Sequence, residues 1–342
     1  MSDIHRICFI GCGGWAKRKY LPYLQNLPNV EVVAVCELVF PEERAEVAEI
    51  FPNTHFYETL SELLANEEID GAVVTLPHSL HLSRIIELLQ HNIPVYTDKP
   101  AGVSAAEIEQ IIEAEKQSGA QVVVGCQRRA LPGYVELKKH FVTSKEPARW
   151  AIGTFDFSSY PNWEKTWRND PKLSGDPAKK QGVLLDTGYH VIDSLLYILD
   201  FPKPTSVFAQ ANYHNYNVEA DVTATIQFED QFSVQITISR DMPAEYEKEG
   251  ISIMTEGHYF SFYQKIVSGE KQSTLRLVEE GKPITELHFP KTPVAQFPIQ
   301  AFLDSLQGEP IDQKWLVESS LPTLHIIDAA YESILNKTVV KL

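Results

Sequence analysis

The first third of the chain alternates short apolar runs with amphipathic stretches, and this alternation restricts the fold more than any other feature. Near-continuous Val and Ile are typical of strands covered on both faces, and the stretches between them have helical periodicity. A repeated order of strand and helix predicts a doubly wound parallel sheet. The predicted strands span residues 7–10, 30–36, 69–75, 95–97 and 122–124, and the predicted helices span 15–26, 41–51, 79–91 and 104–118.

After Cys126 the pattern changes to one long helix followed by strands of alternating polarity. Such strands are typical of an antiparallel sheet with one solvated face. We therefore predict an N-terminal Rossmann α/β domain over 1–125 and a C-terminal α+β domain over 126–342 with a large open, mostly antiparallel sheet. In the second domain, helices are predicted over 183–199, 294–306 and 317–335, and strands over 206–213, 222–228, 232–238 and 273–277.

The charge and composition of the chain exclude several classes of partner. A length of 342 residues with 44% hydrophobic residues suits two cores, and a formal charge of −16 repels a nucleic acid backbone. No basic segment leads into an apolar stretch at the start, and no run is long enough to span a bilayer, so we expect a soluble cytoplasmic protein. We also expect buried free thiols and no metal site, because no paired spacing links the four cysteines, which are Cys8, Cys12, Cys36 and Cys126.

A glycine-rich motif follows the first predicted strand and opens the first predicted helix. In this context GxGxxA predicts a dinucleotide site, with the helix N-terminus free to bind the pyrophosphate. Gly11 permits the tight turn, Gly13 allows close backbone approach, and the small Ala16 allows helix and strand to pack. The predicted cofactor contacts in this loop are Gly11, Gly13, Gly14, Trp15 and Ala16. The alternative is a glycine-rich turn of another α/β protein.

The cofactor preference is predicted from Glu37, at the end of the second predicted strand. A carboxylate there accepts hydrogen bonds from the adenosine ribose and repels a 2′-phosphate. No Arg or Lys follows directly, so the sequence favours NAD over NADP. Arg44 is the nearest residue that would reverse this preference, and a solvated strand-end carboxylate is the alternative reading.

Three further motifs complete a resemblance to a known family. Thr97-Asp98-Lys99-Pro100 stands in the place of a Glu-Lys-Pro signature, residues 182–190 contain a DxGxH helix start, and residues 76–81 pair a strand-end Pro77 with His81. With the glycine motif, the chain resembles the glucose-fructose oxidoreductase and myo-inositol dehydrogenase (Gfo/Idh/MocA) family over essentially its whole length. Asp98 departs from the usual Glu of that family.

The resemblance implies the residues that handle the proton. It implies His190 as the acid or base, Asp186 as its partner or a substrate contact, and Lys99 as a second group at the reacting oxygen and the cofactor. From the residues alone, Lys99 is a surface charge, and Asp186, His190 and Asp193 form one polar stripe of a helix, which is more often solvated than functional. Whether Lys99 or His190 moves the proton stays open.

The resemblance also implies contacts for Pro77, His81 and Arg128. Pro77 and His81 would lie near the nicotinamide, with a solvated helix-start His as the alternative. Arg128 would hold a polar substrate, and an interdomain ion pair is equally compatible with its position. Trp167 and Arg168, in a loop before the DxGxH helix that also contains Trp163, would stack on and hydrogen-bond a sugar ring, although such aromatic residues often simply pack.

The sequence thus predicts an NAD(H)-dependent oxidoreductase that transfers hydride to or from a sugar, polyol or sugar derivative. The alternatives are a glycoside hydrolase that retains NAD, and a non-catalytic sugar or nucleotide sensor on the same fold. The resemblance also implies a homo-dimer or homo-tetramer formed through the open sheet. Residues 176–181, which the family pattern lacks, carry Lys179 and Lys180, which either attract an acidic substrate or form a solvated loop tip.

Overall fold

A computed structural model of the protein describes residues 4–36, 41–158, 162–229, 231–243, 246–267 and 270–342. The chain forms two compact units. The first comprises Met1–Gly102, Ala106–Gln127 and Val294–Leu321, and the second comprises Val103–Ala105, Arg128–Pro293 and Pro322–Leu342. None of the described helices is long and apolar enough to cross a membrane.

The first unit contains a parallel sheet of six strands in the order β3-β2-β1-β4-β5-β6. Its strands are β1 (His5–Ile10), β2 (Val30–Cys36), β3 (His55–Tyr57), β4 (Gly71–Val74), β5 (Val95–Thr97) and β6 (Val122–Val124). The helices between them are α1 (Gly14–Lys19), α2 (Leu21–Leu24), α3 (Pro41–Ile50), α4 (Leu60–Asn66), α5 (His81–Gln90) and α6 (Ala105–Ser118). The strand order reverses between β1 and β4, and ligands of such sheets bind outside the carboxyl ends of the strands at this point.

The second unit is built on a nine-stranded sheet in the order β14-β13-β12-β11-β7-β10-β9-β8-β15. Its strands are β7 (Trp150–Asp156), β8 (Pro204–Asn212), β9 (Asp221–Phe228), β10 (Ser233–Ser239), β11 (Lys248–Met254), β12 (His258–Val267), β13 (Glu270–Glu279), β14 (Thr285–Phe289) and β15 (Val340–Lys341). Every pairing is antiparallel except that of β7 with β10. The two sheets confirm the predicted fold class.

The later helices are α7 (Pro132–Ser144), α8 (Pro171–Ser174), α9 (Tyr189–Ile198), α10 (Gln296–Ser305) and α11 (Leu321–Asn336). One face of the large sheet is covered by α7 and α9: Gly133 of α7 lies against Phe262, and Gly153 of β7 lies against Val191 and Leu195 of α9. A Cβ at either glycine would overlap those side chains.

Helix α10 belongs to the first unit, although sequence order grouped it with the second domain. Its Phe302 is fully buried against Gly71, where an added Cβ would come within 2.7 Å of the ring, and it also packs on Tyr96. The missing side chain of Gly71 therefore makes room for a helix that lies more than 200 residues later in the sequence.

Several elements are not apparent from the sequence, among them α7, β7, β11, β12 and β14. In β12, inward Phe260 and Phe262 alternate with half-buried Ser261 and Tyr263, so the period of two is present but its polar contrast is weak. In α7, apolar residues occur on both the buried and the exposed sides, which hides the helical period.

Candidate active site

The glycine loop between β1 and α1 is shaped for close approach by a ligand. Gly11 has φ +71°, and a Cβ there would meet the Leu76 side chain at 2.5 Å, so only glycine fits. An added Cβ at Gly13 would have nothing within 4 Å, Ala16 is fully buried, and the first turn of α1 holds no acidic residue. An open glycine backbone before a helix that lacks an acidic first turn fits the pyrophosphate of a dinucleotide. Glu37, the predicted ribose contact, lies outside the described residues.

The segment containing Lys99 follows β5 and is fixed by a buried hydroxyl network. Lys99 is half-buried, and its peptide bond to Pro100 is cis. The preceding Asp98 accepts a hydrogen bond from the hydroxyl of Tyr20. That hydroxyl oxygen also lies 2.9 Å from the Tyr96 hydroxyl and accepts a 3.1 Å bond from the Trp15 indole. Tyr20 and Tyr96 were not predicted as site residues, because a tyrosine in an apolar segment gives no signal beyond packing.

His81 ties two loops of the first unit together. Its side chain is buried, with Nδ1 2.8 Å from the carbonyl oxygen of Pro100 and Nε2 2.8 Å from that of Leu76. Burial lowers the pKa of His81, and the nearby Lys99 acts in the same direction. Pro77 precedes the 3₁₀ turn His78–Leu80, which leads into α5 at His81. Both ring nitrogens of His81 thus contact backbone carbonyl groups, those of Pro100 and Leu76. A contact of His81 with a cofactor stays a prediction.

The DxGxH segment of the second unit is not a continuous α-helix. A π-helical turn, Leu184–Gly188, holds Asp186, and α9 starts at Tyr189 with His190 next. The wider turn breaks the α-helical register, so the predicted polar stripe is wrong for Asp193. That residue is buried, and its Oδ2 accepts a 3.0 Å hydrogen bond from Nε of Arg129, which is itself fully buried. Single π turns inside helices are frequent at functional sites.

Asp186 lies between two arginines. Its Oδ2 accepts a 3.1 Å hydrogen bond from Nε of Arg168 and is 3.9 Å from Nη2 of Arg240. The Arg168 guanidinium also lies 4.4 Å from the ring centre of Trp167. The structure thus brings together three of the predicted substrate residues. Arg240 was not predicted as a site residue. It lies two positions after Ile238 and so continues the set of β10 residues that face inward, where a charged residue is unusual.

His190 and Arg128 both lie beside Phe155 of β7. The ring centres of His190 and Phe155 are 6.5 Å apart, and the Arg128 guanidinium is 5.3 Å from the Phe155 ring centre. Arg128 also forms a 2.9 Å ion pair with the buried Glu249. The alternative of an interdomain ion pair is wrong, because Arg128 and Glu249 both belong to the second unit. The contact of Arg128 with a substrate stays a prediction.

The extra segment 176–181 is anchored rather than simply solvated. Gln181 is fully buried, and its side chain accepts a 2.7 Å hydrogen bond from the backbone of Asp176. Lys179 forms a 2.8 Å ion pair with Asp328. Only Lys180 of the two lysines is exposed.

Models of one protein family match both parts of the chain. The oxidoreductase family model with an NAD-binding Rossmann fold matches residues 5–126, and the GFO/IDH/MocA C-terminal domain model matches residues 148–260. The two matches together cover more than half of the 342 residues.

The chain belongs to the GFO/IDH/MocA oxidoreductase family. This confirms the family that the four sequence motifs predicted.

Individual relatives are more distant. An inositol 2-dehydrogenase from Salmonella paratyphi B is 31% identical over 121 residues, which are 34% of this chain and 36% of that protein, so the matched segment spans about a third of the relative. Oxidoreductase P35 from Formosa agariphila is 25% identical over 78% of this chain and 82% of its own. The structure of the WlbA dehydrogenase from Bordetella pertussis, in complex with NADH and UDP-GlcNAcA, matches with a TM-score of 0.84, covering 99% of each chain at 18% identity. At that identity the likeness shows the fold.

Proposed function

We propose that this protein catalyses reversible hydride transfer between nicotinamide and a hydroxyl-bearing or keto carbon of a sugar, polyol or sugar derivative. The observation that carries the proposal is the open glycine loop at the point where the strand order of the parallel sheet reverses. In the same unit, Lys99 follows the carboxyl end of β5. The inositol 2-dehydrogenase and the ligands of the WlbA structure support the substrate class.

The protein's own groups align the substrate and handle the proton. The nicotinamide, when bound, supplies the hydride chemistry. Lys99 hydrogen-bonds the reacting oxygen, and His190 takes or returns the hydroxyl proton. Asp186 orients His190 or binds a substrate hydroxyl, and its ion pair with Arg168 holds the carboxylate in one position. Trp167 and Arg128 complete the proposed substrate contacts.

The same proposal assigns the cofactor contacts. The pyrophosphate lies on the backbone of Gly11, Gly13 and Gly14, with Trp15 and Ala16 forming the start of α1. Glu37 accepts hydrogen bonds from the adenosine ribose, which favours NAD over NADP. Pro77 and His81 lie near the nicotinamide.

The first experiment is a fluorescence titration of the purified protein with NADH and NADPH. A screen of polyols, sugars, sugar acids and nucleotide sugars then follows the absorbance of the reduced nicotinamide. Tight binding of NADH together with turnover of one of these substrates supports the proposal. Binding without any turnover contradicts the proposed reaction, and no binding of either nucleotide contradicts the proposed cofactor.

We further propose a homo-oligomer formed through the uncovered face of the large sheet. Trp150 and Ile152 of β7 and Phe208 of β8 are exposed on that face, and cross-strand register places Phe208 in line with Ile152. Light scattering of the wild type and of Phe208→Glu tests this. A wild type that is monomeric at micromolar concentration contradicts it.

A further inference from the structure

The backbone amides at the start of the DxGxH segment are capped by residues that lie far away in the sequence. A helix leaves its first N–H groups without internal partners, and a neighbouring Ser, Thr, Asp or Asn usually accepts from them. Val183, which precedes the π turn Leu184–Gly188, offers no such side-chain cap. The acceptors are Glu219, which precedes β9, and Tyr331 of α11.

Two side chains bind three of these amides. Oε1 of Glu219 accepts a 2.9 Å hydrogen bond from the amide of Leu184. The hydroxyl oxygen of Tyr331 accepts from the amides of Gly182 and Leu185, at 3.3 Å and 3.2 Å. The same hydroxyl donates its proton to Oε1 of Glu219 over 2.7 Å. Glu219 and Tyr331 therefore act as one unit, because each satisfies the other as well as the backbone.

The backbone of Glu219 also fixes the start of this segment. The amide of Val183 donates a 3.1 Å hydrogen bond to the carbonyl oxygen of Glu219. A Cβ at Gly182 would come within 2.6 Å of that oxygen, so glycine permits this close approach. The amide of Asp186 in turn donates a 3.0 Å bond to the carbonyl of Gly182. The position of Asp186 thus follows from the contacts of the capped amides.

This cap is unusual because both of its side chains are fully buried. Burial raises the pKa of Glu219 to about 7. Burial and the neighbouring Glu219 raise the pKa of Tyr331 well above its usual value, so the phenol keeps the proton that it donates. Glutamate is rarely buried completely, because its charged form loses its hydration. A local Ser or Asp would cap a helix without that cost, and such departures from local preference are concentrated at functional sites.

We propose that Glu219 and Tyr331 are positioning residues that fix the start of the DxGxH segment and so hold Asp186 and His190 in their reactive places. This inference rests on the proposed function and deepens it. Asp186 directly follows the last capped amide, and its side chain is bound by Arg168. His190 follows four residues later, as the second residue of α9. Small displacements of reacting groups slow a reaction strongly, so a rigid start of this segment supports turnover.

Tyr331→Phe tests the proposal, because it removes one hydroxyl and keeps the ring. It is expected to lower kcat about tenfold or more, with a smaller change in substrate KM and little change in NADH affinity. Ser333→Ala is the matched control on the same helix, since Ser333 is fully buried and its hydroxyl accepts a 2.9 Å bond from the amide of Ala209. The control should lose similar stability towards urea and keep the kcat of the wild type. Unchanged kcat in Tyr331→Phe, or equal losses of kcat in both variants, overturns the inference.

Two variants of Glu219 test the carboxyl group. Glu219→Gln keeps an oxygen that accepts from Leu184 and Tyr331, whereas Glu219→Leu has a similar volume and no acceptor. The Gln variant is therefore expected to keep a larger share of kcat than the Leu variant. Equal kcat in the two variants overturns the role of Glu219. If Glu219→Leu does not fold, Tyr331→Phe decides the question.

Hydrogen exchange of the peptide spanning residues 182–190 separates this inference from the proposed function, because it needs no substrate. Tyr331→Phe is expected to accelerate exchange in this peptide much more than Ser333→Ala does, and unchanged exchange overturns the inference. A wild type that turns over no substrate, but whose peptide is loosened by Tyr331→Phe, keeps the two residues as the holders of this segment and loses the proposed reaction. A wild type that turns over, with full kcat in Tyr331→Phe, keeps the reaction and loses the inference.

Discussion

The hydroxyl of Tyr20 donates a hydrogen bond to the carboxylate of Asp98, the residue directly before Lys99. The same hydroxyl oxygen accepts a hydrogen bond from the indole of Trp15, in the glycine-loop helix. One buried tyrosine therefore connects the proposed pyrophosphate loop to the proposed acid/base lysine. Burial and the negative charge of Asp98 raise the pKa of Tyr20, so the phenol keeps the proton that it donates.

Replacement of Tyr20 by Phe should lower turnover by about tenfold and stability by about 2 kcal/mol, because a carboxylate loses a charge-assisted hydrogen bond. The ring still packs edge-on against Tyr96, 5.4 Å away. Tyr134→Phe is the control, since it removes a 3.2 Å bond to buried Glu249 in the other unit. Equal effects of the two variants on turnover, after correction for stability, would contradict a role of Tyr20 in placing Lys99.

Lys99→Ala and His190→Ala should each reduce kcat by roughly 10²- to 10⁴-fold, the usual contribution of general acid/base catalysis. NADH affinity should change little, and fluorescence titration checks this. Lys116→Ala and His91→Ala are matched controls, because both side chains are exposed. If either variant has the kcat of the wild type, the catalytic role proposed for the replaced residue is wrong.

Asp186→Ala and Asp193→Ala should separate activity from stability. Loss of Asp193 leaves the buried Arg129 guanidinium without its carboxylate, which costs about 3 to 5 kcal/mol. Loss of the partly exposed Asp186 should lower turnover with a much smaller effect on unfolding by urea. If the two variants lose similar amounts of stability, the proposal that Asp193 stabilises the fold while Asp186 acts in catalysis is incorrect.

Glu37→Ala should narrow the difference in affinity between NAD and NADP, because it removes repulsion of a 2′-phosphate. Competitive fluorescence titration with both reduced nucleotides measures the difference. Glu31→Ala, within β2, is the control. An unchanged preference would exclude Glu37 as the ribose contact.

Stability should decrease as the pH rises from about 4.5 to about 7, because burial raises the pKa of Glu219 from 4.5 to about 7. In this window the folded chain retains a proton that the unfolded chain has released, and the loss amounts to about 3 kcal/mol once both forms are ionised. Glu219→Gln should remove this dependence, while its side-chain oxygen still accepts from Leu184 and Tyr331. Thermal unfolding across the pH range measures it.

Glu115 contributes a second dependence in the same window, since burial also raises its pKa to about 7. Glu115→Gln is therefore the companion variant, and the double variant should lose the largest part of this decrease among the four proteins. The lowered pKa of the buried His81 acts in the opposite direction in all four, so the comparison between them is the test. A variant whose stability changes with pH as that of the wild type does contradicts the assignment of the residue that it replaces.

The first unit was predictable because its signals are local. The strands of the parallel sheet are uninterrupted apolar runs, and the glycine motif lies between a strand and a helix. The network of Tyr20, Tyr96 and Asp98 was not predictable, because it joins residues separated by 76 and 78 positions that share no periodicity.

The second unit was less accessible to the same reasoning. Its strands have one solvated face, and the polarity of the residues on their two faces differs little. The i, i+4 spacing of Asp186 and His190 predicts one helix face only if each residue turns by the same angle, and the π turn at Asp186 changes that angle. The sequence places His190 and Asp193 on one helix. Only the fold shows that His190 is half-buried, whereas Asp193 is buried and accepts a hydrogen bond from Arg129.

The return of α10 to the first unit has a consequence for biosynthesis. When the ribosome has released the six strands of the parallel sheet, the surface around Gly71 and Tyr96 that Phe302 covers is still bare. The antiparallel pairing of Val123 with Leu316 likewise forms only after residue 316 has been made. Part of the apolar surface of the nascent parallel sheet therefore stays uncovered long after β6 has been made, until residues 294–321 follow.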